Sequence, residues 1–302
     1  MRLLPRPPSH LRKVIVGQVR QLVGGTGDDS VERNRQDTGF FGPDSVCWKV
    51  HGDLTSMMVG GIAALFLQML HPAALAGVWD HSDFRHDMLG RLRRTARFIA
   101  GTTYGDRAEA RALIERVRRI HTQVTGSTRE GRAYSAEDPD LLTWVHVAEV
   151  SSFLAAYLRY VDADLSGEAQ DRYFAETAQI AIQLGAVDVP RTSREISSYL
   201  EDVRPQLRCD PRTRAVAAAL LAASPPSLAA APAMAIAFDA AQDLLPDWAA
   251  ELHGLRLSPY RRYVARSGAK ALSRTMRWAL VNSAEARARR RAAELAARSP
   301  PG

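Results

Sequence analysis

The chain contains 302 residues, of which 46% are hydrophobic and 24% are charged. This composition is typical of a globular protein and excludes a disordered chain, a collagen-like repeat and a polytopic membrane protein. Two cysteines, Cys47 and Cys209, cannot form a disulfide scaffold, and no Cys-x-x-Cys pair is present to bind zinc or carry out redox chemistry. The formal net charge of +7 suggests an anionic partner.

The positive charge is concentrated near the C-terminus. Residues 256–302 contain twelve basic and two acidic side chains, whereas residues 1–255 contain 28 basic and 31 acidic ones. Residues 283–302 are predicted to form a basic Ala/Arg-rich tail whose short helix, Ala284 to Arg298, is solvated or disordered. Because 37 of the 40 basic residues are arginines, codon bias explains the charge as readily as phosphate contacts do, and we expect no specific nucleic-acid partner.

Neither a targeting signal nor a membrane span is predicted. The first 25 residues lack the apolar segment and cleavage site of a signal peptide. The most apolar stretch, Leu54 to Leu70, has 17 residues and includes Thr55, Ser56, two glycines and Gln68, whereas a membrane span needs about 20 mostly apolar residues. We therefore predict a buried central helix and a cytoplasmic protein.

Capping residues, prolines and helical periodicity predict a series of helices. Proline ends one helix at His71-Pro72, because it forces its predecessor out of the helical region, and Asp138-Pro139 begins another. Thr192 and Glu195 form the pattern of a capping box. In chain order the predicted helices cover residues 44–50, 54–70, 107–124, 140–161, 167–184 and 193–207, then two alanine-rich helices separated by Pro225-Pro226, and a last long helix from Ser258-Pro259.

Strand signals are nearly absent, because no alternating runs of β-branched residues and no Asn-Gly or Asp-Gly turns occur. The predicted fold is therefore all-α: a single large multi-helix domain over residues 30–282 with a globin-like or bundle-like buried core. Residues 1–29 are predicted to form a flexible N-terminal segment, and residues 283–302 form the basic tail.

His121 is the first candidate site residue. It lies on the apolar face of its helix, four residues after Val117 and three before Val124. A histidine there is either a hydrogen-bonded core residue or an imidazole directed into an apolar pocket, as a haem iron requires of its proximal ligand. No Cys-x-x-Cys-His sequence occurs, so covalent c-type haem is excluded.

A second candidate is the helical face formed by Arg91, Arg94, Thr95 and Phe98, which stand at positions i, i+3, i+4 and i+7. This face is either solvated, or half-buried and able to offer fixed donors to an anion such as a propionate or to bound dioxygen. Thr95 and Phe98 have little reason to share a fully solvated face, so both interpretations remain open.

Two further groups combine histidine with carboxylate. Asp83 and His86 have the i, i+3 spacing of a metal pair, with His81 nearby, although a loop and helix-cap role is the favoured interpretation. His146 and Glu149 share an apolar stripe, where they either hydrogen-bond to each other in the core or serve a function. No Glu-x-x-His pair, Gly-x-Ser-x-Gly elbow or phosphate-binding loop occurs.

The order of these motifs resembles a known family, the helical haem-dependent oxygenase domain shared by bacterial rubber oxygenase (latex-clearing protein) and the fungal oxygenase MpaB. The resemblance covers about residues 40–160. The matching stretches are Gly42-Pro-Asp-Ser45, Leu70-His-Pro-Ala73, His81-Ser-Asp-Phe84, Arg91-Leu-Arg-Arg-Thr95 with Phe98, His121-Thr-Gln-Val-Thr-Gly126, Tyr134-Ser-Ala-Glu-Asp-Pro139 and Trp144-Val-His146.

The resemblance implies a b-type haem held by one histidine and an oxidative attack by dioxygen on a small or medium apolar, often isoprenoid-like, substrate. His121 matches the proximal iron ligand, and Arg91 and Thr95 match the arginine and threonine beside the haem. Arg91 and Thr95 are thus the expected catalytic residues. Together with Arg94 and His121, they are also the expected haem-binding residues.

Two positions depart from rubber oxygenase. Arg94 stands where that enzyme has a lysine, and no glutamate occurs between Glu32 and Glu109, although the enzyme uses a glutamate as a base. The residues considered as substitutes are Asp80, His81 and Asp83.

Two other functions therefore remain open. One is a haem-free helical binding protein for an apolar ligand. The other is a helical metal-dependent hydrolase that uses His81, Asp83 and His86. The sequence does not identify the substrate, and it leaves a homodimer open.

Overall fold

The computed structural model describes residues 37–280 and 283–298, together with residues 12 and 15–17. Apart from these four residues, the segment 1–29 that was predicted to be flexible lies outside the described residues. The described helices are α1 (Val46–His51), α2 (Leu54–Gln68), α3 (Pro72–His81), α4 (Met88–Tyr104), α5 (Arg107–His121), α6 (Pro139–Tyr160), α7 (Gly167–Leu184), α8 (Ser193–Val203), α9 (Pro211–Leu221), α10 (Ala231–Leu244), α11 (Asp247–His253), α12 (Pro259–Ala279) and α13 (Ala284–Arg298). The predicted all-α fold is confirmed.

Local signals set most helix ends. The predicted capping box is present, because the Thr192 side chain accepts from the backbone of Glu195 and the Glu195 side chain accepts in return. Gly185 ends α7 in the left-handed conformation, with φ of 111°. The helix predicted over residues 193–207 ends earlier, at Val203, and continues as a 3₁₀ turn over Arg204–Gln206. Proline at position 205 explains this difference, because it has no N–H to donate to the carbonyl of residue 201 and so interrupts the α-helical hydrogen bonds.

Helices α2 and α6 form the centre of the core and run antiparallel. Trp144 on α6 donates to the Gln68 carbonyl at one end of the pair. At the other end the backbones come so close that a Cβ on Gly60 would lie 2.8 Å from the Ser152 carbonyl oxygen, so only glycine is accommodated there. Helices α10 and α12 pack against α2, and α7 packs against α6.

A short antiparallel hairpin, β1 (Thr125–Ser127) and β2 (Ala133–Ser135), interrupts the helices. It was not predicted, because its connection is longer than a two-residue turn and carries a left-handed glycine, Gly131 with φ of 80°, in place of an Asn-Gly pair. The hairpin contacts α3.

The predicted C-terminal helix is present, but it is not solvated. Ala288 on α13 is fully buried against Trp48 and Tyr104. Arg291 donates to the Tyr104 carbonyl at 2.6 Å, and Arg289 donates to the Pro43 carbonyl at 2.9 Å. The expectation of a solvated or disordered helix is therefore wrong for Ala284–Arg298, because apolar packing and arginine hydrogen bonds attach it to the rest of the fold.

One described helix, Pro139–Tyr160, is long and apolar enough to span a membrane by length and composition alone. Two bent helix pairs, Leu54–Gln68 with Pro72–His81 and Leu228–Leu244 with Asp247–His253, also meet these criteria if each pair is counted as one span. The sequence prediction of no membrane span considered only the α2 region. In the fold, 61% of the apolar window in Pro139–Tyr160 is buried.

Candidate functional site

A cavity of about 320 Å³ lies between helices α2 to α6, α9 and the hairpin. A volume of this size lies at the lower end of the range for small-molecule sites, roughly 300–1,000 Å³. Its wall is mostly apolar, and its polar members are Gln68, His81, Ser82, Arg91, His121 and Tyr134.

The chain turn at His71-Pro72 forms one wall of this cavity. Helices α2 and α3 are bent by 105° there, which places residues of both helices around the same space. The His71 ring lies 6.1 Å from that of Trp144, and its Nδ1 is buried without a hydrogen-bond partner. Burial is the main reason that the pKa of His71 is lowered. The proline that ends the predicted helix thus also shapes the site.

His121 is the last residue of α5 and lines the cavity. Its side chain is half-buried and makes no hydrogen bond or ion pair within the part of the chain that the structure describes. Burial lowers the pKa of His121, and the charge of Glu137 opposes this only in part. The imidazole is therefore neutral near pH 7, which is the form that binds a metal.

Arg91 lines the same cavity from α4. Burial lowers its pKa to about 10, with a smaller contribution from the charge of Arg94, so the guanidinium remains protonated at neutral pH. No acidic side chain among the described residues pairs with it. A cation left unpaired in an apolar cavity is costly, so this position is suited to an anionic group of a ligand.

Arg94 and Thr95 do not line the cavity. Arg94 is exposed and donates to Asp87 at 3.1 Å, while Thr95 is exposed and Phe98 is half-buried. The structure therefore brings together His121 and Arg91 among the predicted site residues, and it leaves Arg94 and Thr95 on the surface of α4.

His81 and Tyr134 face the same cavity. His81 Nε2 lies 3.0 Å from the Thr125 carbonyl, and the Tyr134 hydroxyl donates to Asp80 at 2.9 Å. Burial, followed by the hydrogen bond and charge of Asp80, raises the pKa of Tyr134 to about 12, so this phenol remains protonated. The sequence did not predict the hairpin, and the only signal for Tyr134 was that it begins one of the stretches that resemble the family.

The residues expected for a metal hydrolase do not come together. His86 and Asp83 form an exposed pair with 2.6 Å between Nδ1 and Oδ1, while His81 bonds to the hairpin backbone. Among the described residues, no group of three or more His, Cys, Asp or Glu side chains is arranged to hold a metal ion.

A buried polar cluster around His51 was also missed. His51 Nδ1 lies 2.9 Å from the Thr103 hydroxyl, and Nε2 lies 3.0 Å from the Tyr173 hydroxyl. Burial lowers the pKa of His51 to about 3. The i, i+4 spacing of Cys47 and His51 was a signal in the sequence, since their Sγ and Nδ1 atoms are 3.6 Å apart. This cluster satisfies its own hydrogen bonds.

Comparison with protein families gives one match. A model described as the catalytic domain of "ER-bound oxygenase mpaB/B'/Rubber oxygenase" matches residues 48–279. The chain belongs to this family. The match includes Arg91, His121 and every residue that lines the cavity, and it ends before α13. No curated protein and no solved structure matches the chain. The family is one of oxygenase catalytic domains, and the cavity is its candidate active site.

Proposed function

We propose that the protein is a haem b-dependent oxygenase that uses dioxygen to oxidise a small or medium apolar substrate. The observation that carries this proposal is that His121 and Arg91, thirty residues apart in the sequence, line one apolar cavity in an oxygenase-family domain. When bound, haem would supply the iron chemistry that activates dioxygen.

His121 is the proposed iron ligand. A neutral imidazole at the end of α5, half-buried and with no competing protein partner among the described residues, has the properties that such a ligand needs. Because α5 packs along α4, His121 and Arg91 approach the cavity from neighbouring helices.

Arg91 is proposed to hold and orient an anionic group, such as a haem propionate. Its guanidinium stays charged, and burial strengthens a charge-assisted hydrogen bond. Arg94 and Thr95, which the resemblance also assigns to the haem, are outside the cavity wall, so the proposal assigns them no contact with haem or substrate.

The rest of the cavity wall determines the substrate class. Side chains such as Leu65, Met69, Val78, Leu142 and Leu220 contribute apolar surface and exclude water from the bound molecule. An apolar substrate of small or medium size, isoprenoid-like compounds included, is suited to such a wall.

A hemin titration tests the assignment. The purified full-length chain is expected to bind hemin at one equivalent with a Soret band, and His121→Ala should lose this band. His86→Ala is the matched control, since that exposed histidine lies outside the cavity and should leave binding unchanged. A wild-type protein that remains colourless after hemin addition and desalting would contradict the proposal, as would unchanged binding by His121→Ala.

A second candidate function is a haem-free binding protein for an apolar carboxylate. The position of Arg94 and Thr95 outside the cavity favours it, and Arg91 would then bind the ligand carboxylate directly. This function predicts saturable binding of a fatty acid such as decanoate, weakened by Arg91→Met, with neither hemin uptake nor oxygen consumption.

A further inference from the structure

The hairpin segment, residues 122–138, forms one side of the cavity wall. It follows directly after α5 and contributes Val124, Tyr134 and Ala136 to the wall. The Ala136 N–H donates to the Val124 carbonyl at 2.9 Å, so the base of the hairpin is itself part of the wall. Ile120, just before this segment, also lines the cavity and has 52% of its surface exposed. The cavity therefore reaches the protein surface beside the hairpin.

The strands of the hairpin contribute few buried side chains to the fold. All three residues of β1 are exposed, whereas in β2 Tyr134 is buried, Ser135 is half-buried and Ala133 is exposed. Among the described residues, β1 and β2 pair with each other and with no other strand. Thr128 in the turn is buried, but its hydroxyl accepts from the Arg132 N–H of the same turn. Tyr134 is therefore the main apolar anchor of the two strands.

Side chains at the end of α3 hold both strands of the hairpin. The Tyr134 hydroxyl on β2 donates to Asp80 at 2.9 Å. His81 Nε2 lies 3.0 Å from the Thr125 carbonyl of β1. The Tyr134 ring lies over Gly77 of α3, where a Cβ would be 3.7 Å from the ring. Two adjacent residues of α3 thus each hold one strand, and Tyr134 supplies both a buried ring and a hydrogen bond to this attachment.

The turn of the hairpin makes weaker contacts with the rest of the fold. Glu130 lies 3.4 Å from Arg208, and both side chains are exposed, so this ion pair contributes little to stability. A crevice of about 10 Å³ remains between the turn and the α3 residues Pro72, Leu75 and Ala76. Protein interiors are close-packed, so the turn is not part of the core. The hairpin can therefore separate from α3 with the loss of few contacts.

The walls formed by α2, α6 and α9 differ from the hairpin because they belong to the core. Met69, Leu142 and Leu220 line the cavity from these helices and are all buried. Helices α2 and α6 approach so closely at Gly60 that a Cβ there would lie 2.8 Å from a carbonyl oxygen of α6. Displacing either helix would expose core side chains to water. The hairpin segment is thus the part of the wall that moves at the lower cost.

We propose that the hairpin segment is the gate of the cavity and that Tyr134 is its latch. In the closed state the Tyr134 hydroxyl bonds to Asp80 and its ring covers Gly77. The gate opens when the hairpin moves away from α3, turning about the exposed residues 122–123 and 137–138 that join it to α5 and α6. It closes again behind a bound molecule and excludes water from it. The inference goes beyond the proposed function, because it concerns entry to the cavity and applies to haem and to an apolar ligand alike.

The first arm of the test measures opening without a ligand, by hydrogen exchange and mass spectrometry of the full-length chain. A two-stranded hairpin detached from its support is marginally stable in water, so opening exposes its amides. Tyr134→Phe keeps the ring and removes the hydroxyl. It should accelerate exchange in the hairpin segment about tenfold, as expected for the loss of one hydrogen bond to a carboxylate, and leave α2 and α6 unchanged. Tyr104→Phe is the matched control, since Tyr104 is as deeply buried and donates to the Trp48 carbonyl at 3.0 Å outside the cavity wall. Unchanged exchange in Tyr134→Phe, or equal acceleration in the control, overturns the proposal.

The second arm measures the passage of a ligand. Prodan, a neutral naphthalene dye whose emission rises in apolar surroundings, is mixed with the full-length chain in a stopped-flow instrument. Tyr134→Phe should raise the association and dissociation rate constants alike, by about tenfold, and change Kd by less than about twofold, because a latch controls passage and not the final contacts. Tyr104→Phe should match wild type. A rise in the dissociation rate constant alone would make Tyr134 a ligand contact and overturn the proposal, as would unchanged rate constants.

Ala74→Trp tests whether the dye binds in the cavity. Ala74 lines the cavity from α3, and an indole there should fill the space and abolish binding. Wild type that binds no prodan, or Ala74→Trp that still binds it, would overturn the proposal, because the dye would not pass into this cavity. Neither arm uses hemin, so failure of the gate and failure of the proposed function are separate results.

Discussion

Two regions of the molecule differ in whether a buried charged side chain has a partner of opposite charge. At the packing of α6, α10 and α12, the fully buried carboxylate of Asp243 accepts hydrogen bonds from Arg159, Arg262 and Arg266 at 2.6 to 3.2 Å. Arg91 in the cavity wall and Glu149 on α6 have no partner of opposite charge among the described residues. The same fold therefore contains a carboxylate with three cations and a carboxylate with none.

The difference separates structural from functional charge. A buried ion that is paired and hydrogen-bonded fixes the packing of the helices that carry it, and removing its partner leaves an uncompensated charge. A buried ion without a partner lowers stability and is retained when a ligand or a proton compensates it. The arginines of the basic C-terminal half thus stabilise the packing of helices, whereas Arg91 in the cavity remains available to bind a ligand.

The largest expected effect is on stability at the compensated site. Asp243→Asn should lower the free energy of unfolding by on the order of 3 kcal/mol, because three guanidiniums lose their shared anion. Asp239→Asn is the matched control, since within the described part of the chain that carboxylate pairs with Arg261 alone and both partners are partly exposed. The control should cost less than about 1 kcal/mol. Urea unfolding monitored by circular dichroism measures the stability of both variants. Equal losses of stability would contradict the stabilising role of the three arginines around Asp243.

A second effect is a pH dependence of stability from Glu149. Its folded pKa, about 7, lies above the ordinary value of 4.5, so the folded state binds more protons than the unfolded state between these values. The contribution to stability is therefore highest below pH 4.5 and falls as pH rises to about 7. Solvent screening of a half-buried group reduces the expected loss to about 2 kcal/mol.

Urea unfolding of wild type and Glu149→Gln between about pH 4.5 and 8 checks this effect. The stability of the variant relative to wild type should increase steadily up to pH 7 and then stay constant. His51 and His146 titrate in both proteins, so their contributions cancel in the difference. A pH-independent difference would show that Glu149 is compensated in solution.

Local sequence signals predicted the helices well but not the charge network. Proline at position 72 ended α2, and the Thr192–Glu195 pair began α8, because caps act within one turn of the chain. The ion pairs of Asp243 could not be predicted from such local signals, since its arginine partners are 19, 23 and 84 residues away in the sequence. Only the packing of α12 and α6 on α10 brings them together.

The buried polar residues of α6 were predictable in part for the same reason. The apolar stripe already placed Glu149 beside His146, because helical periodicity is a local property. The sequence left open a hydrogen bond between the two, but none joins them within the described residues. Which wall faces a cavity depends on how α2, α4 and α6 pack, and no pattern within a single helix contains that information.

A third effect concerns the uncompensated cation. Arg91→Met should leave the free energy of unfolding nearly unchanged, because an apolar side chain of similar length replaces a charge that has no described partner. Hemin affinity should fall about tenfold, which is the loss of one charge-assisted hydrogen bond to a carboxylate. Arg266→Met is the control with the opposite pattern, because it weakens the Asp243 site and leaves hemin binding unchanged. Unfolding and hemin titrations should therefore show that Arg91→Met lowers hemin affinity but not stability, and that Arg266→Met lowers stability but not hemin affinity.

The smallest expected effect is at Thr95, which shares its helix with Arg91. Thr95→Val should change hemin affinity by less than about twofold, because the exposed hydroxyl neither lines the cavity nor bonds to a residue that does. Hemin titration beside Arg91→Met measures the contrast between neighbouring turns of one helix. A loss at Thr95 as large as at Arg91 would mean that α4 rotates toward the cavity when haem binds, and the unpaired state of Arg91 would then belong only to the ligand-free protein.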